Sequence, residues 1–411
     1  MSASSPPRLM LYNGLGHGLG HRERCLKIAT EFVAELPGAE VLLVTAAASG
    51  LDDRLPPAVE VLALPPGGIG LGTGSFVPAD PESDLAAVHT ARAQMIRDAV
   101  VRFRPDLVLV EHLATGMCGE LLPAFELMET LRPRPKLVLG VRDIIDEPAA
   151  NVQPAWERTG AFDEIATRYD RVLVYGCEQL VATADRYGFA APSAGKLAYC
   201  GYIGPPRQPA PGPRRACPTV VVTGGGGVDA YPLMSRCIAA LRALGAKARV
   251  ILVAGPAMSD ADRDALVQLA SGTAIEVRAQ EERMLELLAT TDVVISMAGY
   301  NTLTEAIAAG CRVLVMPRLW ATPRQAVEAR ENGRTDAPTE SEQQLRAELF
   351  AQLGLVEVIE PAAGPEAIAA AVECALEAGA PEACELALDG ATRVTQQLCE
   401  LLGATRHGRA P

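Results

Sequence analysis

The sequence has no paired cysteines. Ten of them are scattered through 411 residues with no C-x-x-C spacing and no histidine cluster beside them. That argues against a zinc site and against a disulfide scaffold. Reduced thiols used as small core residues fit a cytoplasmic enzyme better. Basic charge is also scarce: the formal net charge is −13, whereas a binder of nucleic acid usually presents a basic face, so nucleic acid is set aside as a partner. No run of about 18 apolar residues appears, so nothing reads as a membrane span. Residues 1–8 read as a short polar tail, with no cleavable apolar leader. Aromatic residues make up only 4% of the chain, yet 49% is hydrophobic, enough for two domains that each bury a core.

What is present is alternation. Short apolar runs at 9–13, 40–45, 59–64, 106–111, 136–141 and 171–176 read as strands, with helical patterns between them near 22–36, 83–103, 117–131 and 178–187. A second series of strands follows at 219–224, 248–255, 274–279, 292–297 and 312–317, with helices near 231–244, 260–270, 281–289 and 302–310. The runs are continuous rather than alternating in polarity, which suggests strands covered on both faces, as in parallel sheets. The fold class that follows is α/β, with two doubly wound parallel-sheet domains. Between the two series lies "GYIGPPRQPAPGPRRACP" (201–218), rich in Pro and Gly and without periodicity, which reads as a linker. The expected division is a first domain over 1–200, the linker, a second domain over 219–382, and a last segment, 383–411, whose helix packs back on the first domain.

Three stretches carry chemistry. In "NGLGHGLGHRERCLKIA" (13–29) glycines precede a helix at the end of the first strand. They let the backbone turn and approach a ligand, and a helix N-terminus offers free N–H groups to negative charge. Neither G-x-G-x-x-G nor the P-loop pattern is met. His21 lies where open α/β sheets bind ligands and is the candidate base. His17 competes with it, and the bland alternative is a surface histidine beside a flexible turn. "TGGGGVDAYPLMSRCIAAL" (223–241) repeats the arrangement with Gly224 to Gly227. Four consecutive glycines cost backbone entropy and are not expected for packing, so the turn reads as a cradle for phosphate oxygens.

The third is "DVVISMAGYNTLTEAIAAGCRVLVMP" (292–317), a strand, loop, helix and strand. Gly299 turns the chain, Asn301 or Thr302 is expected to cap the helix, and Glu305 is read as lying within its first turn. A carboxylate there is favoured by the helix dipole alone. It can also accept both hydroxyls of a ribose, and that reading is preferred because the rest of the helix is small and apolar. A further loop, "LGVRDIIDEPAANVQPAWERTGAF" (139–162), groups Arg142 and Asp143 with other charges, as an acceptor loop or a structural ion-pair loop. No D-x-D lies in a strand-end loop, the "DAD" at 260–262 beginning a helix, and no metal is invoked.

Together, "GLGHRERCLKIA" and "MAGYNTLTEAIAAGCRVLVMPR" resemble the GT-B glycosyltransferases of the MurG-like group, closest to a poorly characterised bacterial branch. The resemblance extends to "RDIIDEP…W…G" and "YDRVLVYG", and so to most of the chain. It implies two Rossmann-like domains with a cleft between them and a nucleotide-diphosphate-sugar donor held mainly by the C-terminal one. Gly224, Gly225, Gly226 and Gly227 would face the diphosphate. Gly299, Tyr300, Asn301 and Thr302 would line the donor site, with Glu305 on the ribose. Gly18, Gly20, Arg142 and Asp143 would lie on the acceptor side with the base His21. The family's Glu-Gln pair is matched to Glu342 and Gln343, with Gln325 as a rival, because a polar stretch at 319–341 intervenes. The expected reaction is metal-independent inverting transfer of a hexosyl or N-acetylhexosaminyl group to a hydroxyl or amine, with no cofactor beyond the donor. The acceptor is a small molecule or lipid-linked, the latter implying peripheral membrane contact. A hydrolase or 2-epimerase on the same fold, or a non-catalytic sugar-nucleotide-binding protein, are the alternatives.

Overall fold

The parallel strands are built from β-branched and leucine runs such as "TVVVT" and "LVLVE", buried along their whole length. Such strands fit only sheets with helices on both faces. The computed structural model describes residues 6–16, 19–51, 55–69, 76–78, 82–146, 148–205, 217–318, 342–381 and 386–403. Contacts divide the chain into two units, residues 1–206 with 389–411, and residues 207–388.

In the first unit β1 (Arg8–Asn13), β2 (Glu40–Thr45) and β3 (Val59–Ala63) precede a short antiparallel hairpin, β4 (Gly67–Ile69) with β5 (Phe76–Pro78). The sheet continues with β6 (Leu107–Glu111), β7 (Lys136–Arg142), β8 (Arg171–Tyr175) and β9 (Leu197–Tyr199). Its order is β3-β2-β1-β6-β7-β8-β9, and every pairing is parallel. The helices of this unit are α1 (Leu19–Glu35), α2 (Leu85–Phe103), α3 (Leu122–Thr130), α4 (Gln153–Thr159), α5 (Ala161–Thr167) and α6 (Thr183–Arg186).

The second unit orders β10 (Thr219–Thr223), β11 (Arg249–Val253), β12 (Ile275–Arg278), β13 (Val293–Ser296), β14 (Arg312–Val315) and β15 (Glu357–Val358) as β12-β11-β10-β13-β14-β15, again all parallel. Its helices are α7 (Tyr231–Leu241), α8 (Asp260–Ala270), α9 (Met284–Leu288), α10 (Tyr300–Ala308), α11 (Glu342–Gln352) and α12 (Pro365–Ala378). The last helix, α13 (Gly390–Leu402), belongs to the first unit.

In both sheets the first strand sits in the middle and the chain winds outward from it in both directions. The reversal falls between β1 and β6 in one unit and between β10 and β13 in the other. Loops leaving such neighbouring strands diverge to opposite faces and open a crevice at the strand ends. The two units are thus doubly wound α/β layers of the Rossmann type.

Several expectations need correction. Gly201 to Pro205 are not linker: all are buried in the first unit, Ile203 bridges Asp389, and Gly390 N donates to Tyr202 O at 2.9 Å. Residues 206–216 lie outside the described residues. The stretch 139–162 is not one loop, because α4 and α5 occupy most of its second half. Pro154 there sits in the first turn of α4, where its missing N–H costs nothing. The edge strands β9 and β15 are three and two residues long, too short to register as apolar runs.

A buried charged group braces the start of the glycine-rich stretch after β1. Arg92, fully buried, donates from Nε to Glu120 Oε2 at 2.6 Å and from Nη2 to Gly14 O at 2.9 Å. Tyr12 donates its hydroxyl to Glu120 Oε1 and accepts from Met117 N at 3.1 Å. Burial first, then the Glu120 charge, pushes the Tyr12 hydroxyl well above its ordinary range, so it stays a donor. Removing one partner leaves an uncompensated buried charge. Arg92→Met should therefore lower stability by about 3–5 kcal/mol, read from chemical denaturation, and a loss under about 1 kcal/mol would show that the group is not buried as described.

Candidate active site

In the second unit the loop after β10 carries the four glycines, and three of them have structural reasons. Gly225 and Gly227 take φ of 69° and 94°, left-handed values that favour glycine. A Cβ on Gly227 would lie 2.2 Å from Ala254 O, and one on Gly224 would lie 2.2 Å from the Ala230 methyl. The expectation that glycines here serve no packing role is therefore wrong: the loop is pressed backbone to backbone against the loop after β11, where Ala257 N donates to Gly226 O at 2.9 Å. Gly226 differs. A Cβ there meets nothing within 4 Å, so the protein itself does not demand glycine at this position.

Across the switch point, β13 ends at Ser296, and Ala298 takes a φ of 59°. This turns the chain so that α10 begins at Tyr300 with Gly299 as its N-cap, and no side chain caps it. Asn301 and Thr302 are therefore inside the helix rather than at its cap. The Thr302 hydroxyl lies 3.2 Å from where a Cβ of Gly225 would be, so the two loops touch. Glu305 is the sixth residue of α10, beyond the first turn, which holds no acidic residue. The dipole account of Glu305 weakens accordingly.

Arg346 of α11 is fully buried; it donates from Nη1 to Ala298 O at 3.1 Å and lies 5.7 Å over the Tyr300 ring. Gln343 is also buried, its Oε1 accepting from Arg318 N at 3.1 Å. Arg318 Nε stands 3.3 Å from Asp229 Oδ2, which ties the end of β14 to the residues following the tetraglycine loop. Glu342 opens α11.

In the first unit the third residue of α1, His21, meets the end of β6. His21 Nδ1 is 3.1 Å from Glu111 Oε1 and 2.8 Å from Arg24 Nη2. A guanidinium only donates, so the two contacts call for opposite tautomers. The tautomer that leaves Nε2 bare carries its proton on Nδ1, toward Glu111. Arg24 holds the same carboxylate oxygen from Nε at 2.9 Å and Nη2 at 2.7 Å, with side-chain exposures of 1% for Arg24 and 2% for Glu111. Burial, then the charges of Arg24 and Arg142, keeps the His21 imidazole well below its ordinary pKa. The next residue after Glu111, His112, sets its ring 4.9 Å from that of His21.

Residues 219–345 match the family model described as the glycosyltransferase family 28 C-terminal domain. The fold of the chain is that of the GT-B glycosyltransferases, MurG among them. MurG of Acinetobacter baumannii is similar to it over 97% of this chain and 100% of that one, at 15% identity and a TM-score of 0.57. A putative UDP-N-acetylglucosamine 2-epimerase from Listeria monocytogenes aligns over 98% of both chains at 13% identity and a TM-score of 0.60. The calicheamicin glycosyltransferase CalG4 aligns over 97% and 95% at 17% identity and a TM-score of 0.53. At these identities the solved structures speak for the fold, and the family match speaks for residues 219–345. Comparison with curated protein sequences returns no match.

The structure brings some expected site residues together and separates others. Gly224 to Gly227 and Gly299 to Thr302 converge at one switch point; Gly20 and His21 lie at the other, with Arg142 ending β7 close enough for its charge to act on His21. Asp143 is wholly buried, its carbonyl accepting from Thr183 Oγ1 at 2.9 Å. His17, Gly18, Gln325 and the stretch 319–341 lie outside the described residues. Glu111, Arg24 and His112 were not anticipated. The signal for the first and last was the "EH" that ends the apolar run "LVLV", two polar residues at a strand terminus in the one place an α/β sheet binds ligands. Arg346 gave no signal, being one charge among several on a helix. Among the described residues no helix is long and apolar enough to cross a membrane.

The glycines of the tetraglycine loop separate by substitution. Gly227→Ala forces a left-handed Cβ into a carbonyl oxygen and should cost about 1–3 kcal/mol or more. Gly226→Ala should leave the melting temperature within a degree or two of the native value. Equal losses would mean that the loop does not have this geometry.

Proposed function

We propose that the protein transfers a sugar from a nucleotide-diphosphate sugar to an acceptor hydroxyl or amine, with inversion and without a metal. The observation that carries this is the meeting of the tetraglycine loop and the uncapped N-terminus of α10 at the switch point of the family 28 domain. Backbone N–H groups gathered at such a place favour phosphate oxygens, and Gly226 leaves open space beside them. In this reading Glu305 takes the ribose hydroxyls. His21 takes the acceptor proton on Nε2 while Glu111 orients the ring through Nδ1. The new bond forms at the anomeric carbon as the bond to the diphosphate oxygen breaks. Loop amides and the helix terminus take up the charge on the leaving diphosphate, so no cation is required for that step. The acceptor is a small molecule, or a lipid-linked one reached by peripheral contact with a membrane, and the transferred group is of hexosyl or N-acetylhexosaminyl type. A cytoplasmic location follows from such donors.

The donor half is tested by thermal shift against UDP, dTDP, GDP, ADP and CDP and their sugars. A ligand that binds the native state alone stabilises it by about 2.7 kcal/mol at a hundredfold excess over Kd. One nucleotide should raise the melting temperature selectively, and both Glu305→Ala and Gly226→Ala should reduce that shift. No shift with any nucleotide would sink the proposal. Sugar released or isomerised with no acceptor present would move the reading to a hydrolase or a 2-epimerase, the latter being the description of the Listeria neighbour. Donor binding without turnover on any acceptor would leave a sugar-nucleotide-binding protein.

The base is tested separately. His21→Ala should lower kcat by about 10²–10⁴-fold with donor binding nearly unchanged. Because the neutral imidazole is the active form and its pKa is held well below 6.5, kcat/KM should stay level as pH falls through 6.5 and decline only below it. An acid limb centred above 6.5 would rule out His21 as the titrating group.

A further inference from the structure

His112 keeps two unfavourable features in one residue. Its φ is 72°, in the left-handed region that few residues other than glycine occupy, although histidine enters it more often than most. Its Nδ1 is buried and makes no hydrogen bond, although buried imidazole nitrogens are nearly always paired. The backbone does not force the choice of residue, because the His112 N–H donates to Gly140 O at 2.8 Å and glycine would make the same bond without strain. The neighbouring Glu111 Oε2 is also buried and unpaired. Two unsatisfied polar atoms therefore sit on consecutive residues at the end of β6, beside the ring of His21. Strain and unpaired polar groups persist at one place when a bound molecule completes them.

We propose that His112 is a specificity-determining contact for the acceptor, its Nδ1 pairing with a hydrogen-bonding group next to the one that reacts at His21. This rests on the transferase reading above. Both imidazoles are held neutral, since burial together with Arg142 lowers each of them, so they offer hydrogen bonds rather than charge. Two neutral rings 4.9 Å apart beside a carboxylate oxygen suit an acceptor carrying hydroxyls on neighbouring atoms, not an anionic one. Glu111 Oε2 is placed to accept from a second hydroxyl.

The test uses the full chain, His112→Gly and His112→Asn, both of which tolerate the left-handed backbone. The probes are methyl β-glucoside, rich in adjacent hydroxyls, and 4-methylumbelliferone, with a lone phenolic hydroxyl, together with the nucleotide sugar selected by thermal shift. The expected result has three parts. Both variants melt at or above the native temperature, their nucleotide shift is kept, and kcat/KM for methyl β-glucoside falls at least tenfold while that for 4-methylumbelliferone falls less. A melting temperature several degrees lower in both variants would show that His112 is kept for packing and overturn the proposal. So would transfer to the glucoside within twofold of native, or a native protein that shifts with nucleotide yet transfers to neither probe. A native protein with no nucleotide shift at all would instead overturn the transferase reading beneath it.

Discussion

The Glu111 carboxylate, almost wholly out of water at the end of β6, needs a cation beside it, and Arg24 is the one the fold supplies. An ion pair in such a place is weak as a source of stability but unforgiving of separation, because either partner alone is a bare buried charge. Glu111 belongs to a strand and Arg24 to a helix, so their pairing fixes where α1 sits at the strand ends. His21, one turn before Arg24 on the same helix face, is carried to the same oxygen. The helix is held further along its length as well: Thr392 of α13 donates to Glu31 at 2.8 Å. Further along α13, Arg171 of β8 reaches Gln397. The position of a candidate base is thus set by one charge match and by a helix from the far end of the chain.

Both units meet the same topological constraint with different chemistry. At the β1/β6 switch point the crevice is furnished with side chains that titrate or carry charge. At the β10/β13 switch point it is furnished with backbone amides, and side chains are kept small. Proton transfer needs a group whose protonation state can change, and holding a diphosphate needs many fixed dipoles that do not change. A parallel sheet of identical strand order serves either need, because the order determines only where the loops open.

The sequence made the central strands legible because they are long, apolar and β-branched, and β2, α8 and the start of α7 lie where periodicity and punctuation put them. Short edge strands carry no such signal, and proline in "EPAANVQPAW" looks like a loop marker when it is also a helix starter. The glycine loops and His21 stood out because glycine and histidine are costly or chemically distinctive in those settings. Glu111 and Arg24 did not, since their importance comes from being 87 residues apart in sequence and 2.7 Å apart in space. Which glycines the protein needs for itself was equally hidden. Gly227 and Gly226 are adjacent identical letters, distinguished by the left-handed φ of Gly227 and by the Ala254 O beside it.

The placement of α13 has a consequence for how the chain is made. Residues Asp389 onward join a unit whose other elements are finished by residue 206, so everything between is, in order of synthesis, an insert. A nascent chain emerging from the ribosome exposes the α1 surface that later receives α13 for as long as the whole second unit takes to be translated. The first unit must therefore be soluble in an incomplete form, or be escorted, until its last helix arrives.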